Sequence, residues 1–424
     1  MNYHSSVHTK LIITEYKNHI ASVLTENSKP VQIALEPRSQ HSILGNIYVG
    51  RVQKIVKNID AAFIRINEDL TGYYSLTDNR RHWILRSGIP SQSENCSLKE
   101  GDQLLVQVSR EAVKTKAPVL TSNLSLTGRY CVLTTGSSLI GFSSKISSRS
   151  WKDAVRTLLD EAGVSQWGLI VRTNAKEVPP ERILEEYAEL KERLIRLIEE
   201  CNYRTPGSIL YQSPAGYVTD LKSTYFGSLE AIVTDGPEIY DTLKTYLSAC
   251  QPEDLQKLTL YQDPLLSLSA LYSLETAITQ ALQPRVWLKS GGYLVIEPTE
   301  AMTVIDVNSG KFSGKKQFRE TVLKTNLEAA REVARQMRLR NLSGIIVVDF
   351  IDMEEEEDRL AVMEALKEQV QKDPVKTTVV DMTLLNLVEI TRKKVRRPLL
   401  EQAAGLLRPP IVKNSKQTDQ DNID

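Results

Sequence analysis

"TVIDVNSG", residues 303–310, decides how the second half of this chain is read. Val304, Asp306 and Asn308 are spaced two apart, so a strand puts all three on one face, the two polar ones near its end. Forty-three residues after Asp306, the apolar run "GIIVVDFIDM" at 344–353 closes on Asp349, with Asp352 three residues further on. Between them, "KQFRETVLKTNLEAAREVARQMRLRNL" carries Val322, Leu323, Leu327, Ala330, Val333, Ala334 and Met337 at helical spacing. Strand, helix, strand predicts a layered α/β block. "GIIVVDF" is apolar at both parities and so is expected to be a central strand covered on both faces. Neighbouring strands that end together would join Asp306, Asn308 and Asp349 in a hard, all-oxygen site suited to magnesium or manganese bridged to phosphate. The same residues also fit a turn cap and an ordinary strand end, and spacing alone does not separate the two readings.

The block extends both ways. Upstream, "RVWLKSGGYLVIEPTEAMTV" predicts a hairpin about "PTE"; downstream, "EEEEDRLAVMEALKEQVQKD" predicts a helix with an acidic first turn, and "TTVVDM" a strand. The basic run "TRKKVRR" at 391–397 fits either a solvated face or a contact to a phosphate backbone. Histidine narrows the chemistry. All five lie at or before His82, so a site in the later half works with carboxylates, amides, hydroxyls and cations. Cys96, Cys131, Cys201 and Cys250 form no CxxC clip, which argues against structural zinc and a disulfide framework. The 53 basic and 53 acidic residues cancel, so any nucleic-acid surface is local. With no apolar run near 18 residues and no signal core at the start, a cytoplasmic protein without a membrane span is expected.

The first half reads as short strands. Residues 10–36, "KLIITEYKNHIASVLTENSKPVQIALE", alternate as a β-meander. "SILGNIYVGRVQKIVKNIDAAFIRI" at 42–66, "LTGYYSL" and "GDQLLVQVSRE" predict a five-stranded barrel of the OB type, with 77–98 a polar loop. Residues 119–173 read as further strands ending in "WGLIVRTNA". Pro179 and Pro180 open a helix to about residue 200; "AIVTD" reads as a strand and "PEIYDTLKTYLSAC" as a helix.

Taken together, "ILGNIYVGRV", "DAAFIRI", "GLIVRT", "SGGYLVIEPTEAMTVIDVNSG", "TNLEAAREVARQMRLRNLSGIIVVDFIDM" and "LVEITRKKVR" resemble the ribonuclease E/G family over residues 10–400. The resemblance implies an RNase H-like domain split into 1–38 and 219–283. Inserted in it are an S1-type OB barrel at 39–120 and a 5′-sensor region at 121–218. A DNase I-like catalytic domain follows at 284–403, then a disordered tail at 404–424. It implies metal-dependent endonucleolytic cleavage of single-stranded, AU-rich RNA, leaving 5′-phosphate and 3′-hydroxyl ends, in rRNA maturation and mRNA turnover. The alternative is an RNA-binding protein of this fold with little cleavage. Carried over, Asp306 and Asp349 resemble the magnesium ligands, and Asn308 the residue that positions phosphate or metal-bound water. Gly128, Val132, Arg172, Thr173 and Lys376 match the 5′-phosphate sensor, and Phe63, Tyr73 and Lys116 the barrel's RNA contacts. Asp352 is the candidate for orienting a metal ligand or its water.

The sequence departs from the family pattern in three places. No CPxC motif follows "TRKK", and the chain stops before the family's small C-terminal domain would be complete. This speaks against zinc and a zinc-linked dimer or tetramer, and leaves a monomer or a zinc-free dimer. Lys376 stands where longer members often have arginine, keeping the charge but losing the fork. No long scaffold segment is present to suggest helicase or membrane partners, so the shorter, G-like form is expected.

Overall fold

The computed structural model describes residues 8–38, 42–85, 91–94, 97–112, 116–164, 166–224, 229–310, 318–383, 385–404 and 406. The N-terminal meander forms as β1 (Thr9–Tyr16), β2 (His19–Glu26) and β3 (Lys29–Pro37), each antiparallel to the last. Asn27 and Ser28 take positive φ in the second hairpin, where short polar side chains tolerate the left-handed region.

A closed barrel comes next: β4 (Ile47–Val56), β5 (Ala61–Arg65), β6 (Thr71–Ser75), β7 (Arg81–Ile84), β8 (Ser91–Glu94), β9 (Gln103–Arg110) and β10 (Val119–Thr121). Five of these close the ring in the order β4-β5-β6-β10-β9, with β9 returning to β4. This is consistent with an OB fold. β7 and β8 are a hairpin outside the ring, where the polar stretch 77–98 led us to expect a loop. The hairpin is anchored on β9 through Trp83 and Ile84, so tertiary pairing and not composition makes it a strand pair.

The following layer has β11 (Ser125–Thr127), β12 (Cys131–Thr134), β13 (Ile140–Phe142), α1 (Arg149–Glu161), β14 (Gly168–Val171), α2 (Pro180–Glu200), β15 (Ile209–Tyr211) and α3 (Gly216–Ser223). Its sheet runs β11-β12-β14-β13, and β15 returns to pair with β4. The short strands expected in 119–173 are present, and α1, which was not expected, lies among them. It is capped by Ser148, whose side chain accepts from the Trp151 N–H, but it buries only Val155 and Leu159. Trp151, Val155, Leu158 and Leu159 repeat at helical spacing, so this stripe was present in the sequence and was passed over.

The chain then goes back to its beginning. β16 (Leu229–Thr234) lies parallel to β1, α4 (Pro237–Cys250) follows, and β17 (Leu258–Leu260) extends the sheet to β17-β16-β1-β2-β3. α5 (Leu268–Leu271) and α6 (Leu274–Leu282) pack Leu268, Leu274 and Ile278 against it.

The last sheet comprises β18 (Arg285–Trp287), β19 (Tyr293–Pro298), β20 (Met302–Asn308), α7 (Phe318–Leu339), β21 (Gly344–Asp349), α8 (Glu356–Val370), β22 (Thr377–Met382) and β23 (Leu387–Arg392); α9 (Leu399–Gln402) closes the described chain. Strand order is β18-β19-β20-β21-β23-β22. β23 inserts between β21 and β22, so "TTVVDM" is an edge strand. Residues of α7 and α8 share one core with Ile305, Val307, Ile346, Val348, Val388 and Ile390. β21 is central by pairing, but only one of its faces is covered. Ile345 is 49% exposed and its cross-strand partner Met302 37%. The apolar residues on the second face therefore line an open surface and not a second core.

The basic run at 391–397 is largely internal structure. Arg392 forms a buried bidentate pair with Asp373, Arg396 meets Asp220 at 2.9 Å, and Arg397 meets Glu111 at 3.3 Å. The first pair is internal to the last block, and the other two tie it to elements from earlier in the chain. The acidic first turn of α8 is as expected, with Asp358 held by Arg319. The tail expected at 404–424 lies outside the described residues, apart from Ala404 and Leu406. Among the described residues no helix is long and apolar enough to cross a membrane.

Candidate active site

β20 and β21 run parallel and in register, so Asp306 sits directly opposite Asp349. Neighbouring strands are about 4.8 Å apart, and register partners project to the same face. Both carboxylates rise from the open face of the sheet. Asn308 Nδ2 donates to Asp306 Oδ2 at 2.6 Å, which orients the carboxylate and leaves the amide oxygen as an acceptor. Asp352 is held by Asn386, whose Nδ2 donates to Asp352 Oδ1 at 3.0 Å. Asp349 has a raised pKa. Desolvation of its carboxyl among its neighbours is the first cause, and the charges of Asp306 and Asp352 add to it.

The site is supported from behind and from the side. Asn326, fully buried on α7, holds Ile351 at both ends: its Nδ2 donates to the Ile351 carbonyl at 2.8 Å and its Oδ1 accepts from the Ile351 N–H at 3.2 Å. This pins the backbone between Asp349 and Asp352. Glu328 accepts from the N–H groups of Lys289 and Ser290 at 2.6 and 2.9 Å, fixing the loop before β19. The loop's Gly292 lies so close to β20 that a Cβ would be 2.6 Å from the Asn308 carbonyl oxygen. Glycine is required there by close approach, and at Gly291 by a φ of +91°.

Among the described residues no three His, Cys, Asp or Glu side chains gather as metal ligands. The donor set is therefore two carboxylates and an amide oxygen with room for water. This suits a hard ion such as magnesium, which keeps several waters when held by one or two carboxylates.

The same face carries residues that the sequence reading did not single out. Tyr293 is the register partner of Asn308, and Trp287 of Tyr293. Arg285 lies over both rings, at 4.6 Å from the Tyr293 centroid and 5.8 Å from that of Trp287. The available signal was the alternation in "RVW" and "YLV", which becomes informative once the open face is known.

The proposed sensor residues are separated in sequence but partly gathered in space. Pairing of β12 with β14, Cys131 opposite Val171, brings Gly128 and Arg129 beside Arg172. Arg172 Nη1 donates to the Gly128 carbonyl at 2.6 Å. Burial lowers the Arg172 pKa, and the Glu186 charge opposes that shift. Glu186, from α2, accepts from the N–H groups of Arg129, Tyr130 and Cys131 at 2.6, 2.8 and 2.8 Å, so its carboxylate fills the nest they form. Val132 is half-buried in β12 opposite Ile170. Thr173 Oγ1 is 2.9 Å from Ser143 Oγ. Lys376 precedes β22 and joins this region indirectly: Lys145, from the turn that meets Thr173, donates to the main-chain oxygen of Asp373. Glu186 and Lys145 had no sequence signal.

In the barrel, Phe63 and Tyr73 are register partners with ring centroids 6.2 Å apart, edge to face. Both are half-exposed, whereas Ala62, Ile64 and Tyr74 point into the core. Lys116 is exposed, two residues before Pro118, whose carbonyl accepts from the Tyr73 N–H at 2.8 Å. The three thus lie on one side of the barrel.

A small barrel with an outward aromatic pair, together with a sheet whose open face bears paired carboxylates, is compatible with a nucleic-acid hydrolase. Comparison with known proteins is specific. The family model described as Ribonuclease E/G family matches residues 125–395. Ribonuclease G of Escherichia coli (strain K12) is 34% identical over 375 residues, 87% of this chain and 76% of that protein. Ribonuclease G of Haemophilus influenzae is 34% identical over 398 residues, covering 92% and 80%. Ribonuclease E of a Nostoc species is 36% identical over 398 residues, covering 92% and 57%. The chain belongs to the ribonuclease E/G family and is an endoribonuclease.

Proposed function

We propose that this endoribonuclease is metal-dependent and cuts single-stranded, AU-rich RNA to 5′-phosphate and 3′-hydroxyl ends, in cytoplasmic rRNA maturation and mRNA turnover. The observation that carries the reading is the in-register placement of Asp306 and Asp349 on one open face, with Asn308 bonded to Asp306. Asp306 and Asp349 would hold Mg²⁺, or Mn²⁺ in its place. When bound, the ion supplies a Lewis acid for the phosphodiester and lowers the pKa of water. Asn308 fixes the Asp306 carboxylate and offers its amide oxygen toward the phosphate or a water. Asn326 and the close approach of Gly292 hold these groups still, which matters because catalysis by positioning is lost with small displacements.

The wider architecture fits this reading. The sheet shared by β1–β3 and β16–β17 would be the split RNase H-like domain, the barrel the S1-type RNA holder, and the last sheet with α7 and α8 the DNase I-like catalytic domain. Phe63 and Tyr73 would stack on bases while Lys116 holds the backbone. Gly128, Val132, Arg172, Thr173 and Lys376 would read a 5′-monophosphate. Without a CPxC pair after "TRKK", the protein would act as a monomer or a zinc-free dimer, which light scattering with and without RNA distinguishes.

The test is Asp306→Asn and Asp349→Asn on a short AU-rich oligonucleotide with a 5′-monophosphate. Both should lose cleavage while filter binding in EDTA stays at the parent level. Cutting by both variants at the parent rate would overturn the assignment.

A further inference from the structure

The active-site face does not end at Asn308. Two cross-strand rows lie on it: Trp287, Tyr293 and Asn308 in one, Arg285, Val295, Asp306, Asp349 and Leu387 in the other. At about 4.8 Å per strand, Tyr293 is roughly 5 Å and Trp287 roughly 10 Å from Asn308. Trp287 is 66% exposed, so its ring contributes little to the core. It sits on the edge strand, tilted against Tyr293 with centroids 5.2 Å apart. Arg285 covers both rings and has no carboxylate partner among the described residues. An exposed tryptophan and a tyrosine, with an unpaired guanidinium stacked on them, present π-faces and a positive charge side by side. That combination binds a nucleobase and its phosphate without regard to sequence.

Beyond the edge strand, a groove of about 1340 Å³ opens between β18, α7, α6 and the β2–β3 turn. Lys289, Lys324 and Arg331 line it; Lys324 and Arg331, like Arg285, form no ion pair among the described residues, while Lys289 lies near the Glu328 carboxylate. Cations left unpaired along a groove mark a track for a phosphate backbone.

We propose that Trp287, Tyr293 and Arg285 form a stacking subsite for a nucleotide flanking the cut, from which the RNA passes into the groove of Lys289, Lys324 and Arg331. The proposal rests on the reading of Asp306, Asn308 and Asp349 as the cutting centre. It adds a second aromatic platform, remote in sequence from Phe63 and Tyr73. Tyr293 stacks beside the bond to be cut, and Trp287 holds the base toward the sheet edge.

The experiment uses the full chain and a 5′-monophosphorylated oligonucleotide with one abasic nucleotide moved stepwise past the cut. For the parent, kcat/KM should fall about 5- to 150-fold at one flanking position, the range expected for one stacked base. Trp287→Ala should show this loss on intact RNA and no further loss when the abasic nucleotide is at that position; Trp287→Phe should keep most of the activity. RNA added in EDTA should quench tryptophan fluorescence in the parent but not in Trp287→Phe. If the parent cuts and Trp287→Ala matches it at every abasic position, the subsite is wrong and the cutting centre stands. If RNA quenches Trp287 but magnesium yields no cleavage, the cutting centre is wrong and the subsite stands.

Discussion

Replacing Gly292 with alanine perturbs Asn308 through its backbone while leaving every polar side chain of the site in place. The new Cβ would lie 2.6 Å from the Asn308 carbonyl oxygen and 3.1 Å from Thr325 Cγ2, and Thr325 is buried. Ordinary contact begins at 3.4 Å, so strand β20 or the loop must give by about 0.8 Å. Misplacement of about 1 Å can cost on the order of 100-fold in rate. We therefore expect kcat to fall roughly 10- to 100-fold, with RNA affinity in EDTA unchanged and an overpacking cost of ~1–3 kcal/mol in urea unfolding. Gly291→Ala is the matched control. Its φ of +91° makes alanine strained, but a Cβ there meets nothing within 4 Å. It should cost roughly 1–2 kcal/mol of stability and leave kcat near the parent value. The assay is steady-state cleavage of a 5′-monophosphorylated oligonucleotide at saturating magnesium, with unfolding curves for both variants. A Gly292→Ala enzyme that unfolds earlier yet retains the parent kcat would refute the claim that Asn308 must be held still.

Three further outcomes follow from the geometry. Phe63→Ala or Tyr73→Ala should weaken oligonucleotide binding in EDTA by ~1–3 kcal/mol per lost stack, with little change in the melting temperature because both rings are half-exposed. Arg172→Lys removes the fork that donates to Gly128, so the ratio of cleavage rates for 5′-monophosphate and 5′-hydroxyl RNA should shrink severalfold; an unchanged ratio excludes Arg172 from end recognition. Asp373→Ala leaves the Arg392 guanidinium buried without its partner and should cost ~3–5 kcal/mol in urea unfolding.

The parts legible in the sequence were those with strong local periodicity. The hairpin about "PTE", the long helix α7 and the barrel strands each repeat their pattern often enough to declare themselves. α1 was passed over although Trp151, Val155, Leu158 and Leu159 repeat at helical spacing, because short strands on either side set the reading of the whole stretch. The β7–β8 hairpin exists through its pairing with β9, a contact no local window contains. β21 was correctly placed at the centre of its sheet but was expected to be covered on both sides. An apolar residue such as Ile345 reads the same whether a helix or solvent lies above it. For the same reason Asp306 and Asp349 could be paired by strand logic, while Trp287 and Tyr293, on the same face, were passed over. Gly128 and Arg172 meet only because β12 and β14 pair, and Glu186 completes that nest from a helix whose pattern gave it no distinction.

The one-sided sheet also bears on which RNAs can reach the acids. Among the described residues nothing roofs the face that carries Asp306 and Asp349, and its floor runs from the edge strand across to β23. A polymer can be laid on such a floor from the side, anywhere along its length, without a free end being threaded through a tunnel. With Asp306 and Asp349 read as the cutting centre, a floor of this kind suits cutting in the interior of a long chain, as befits an endoribonuclease.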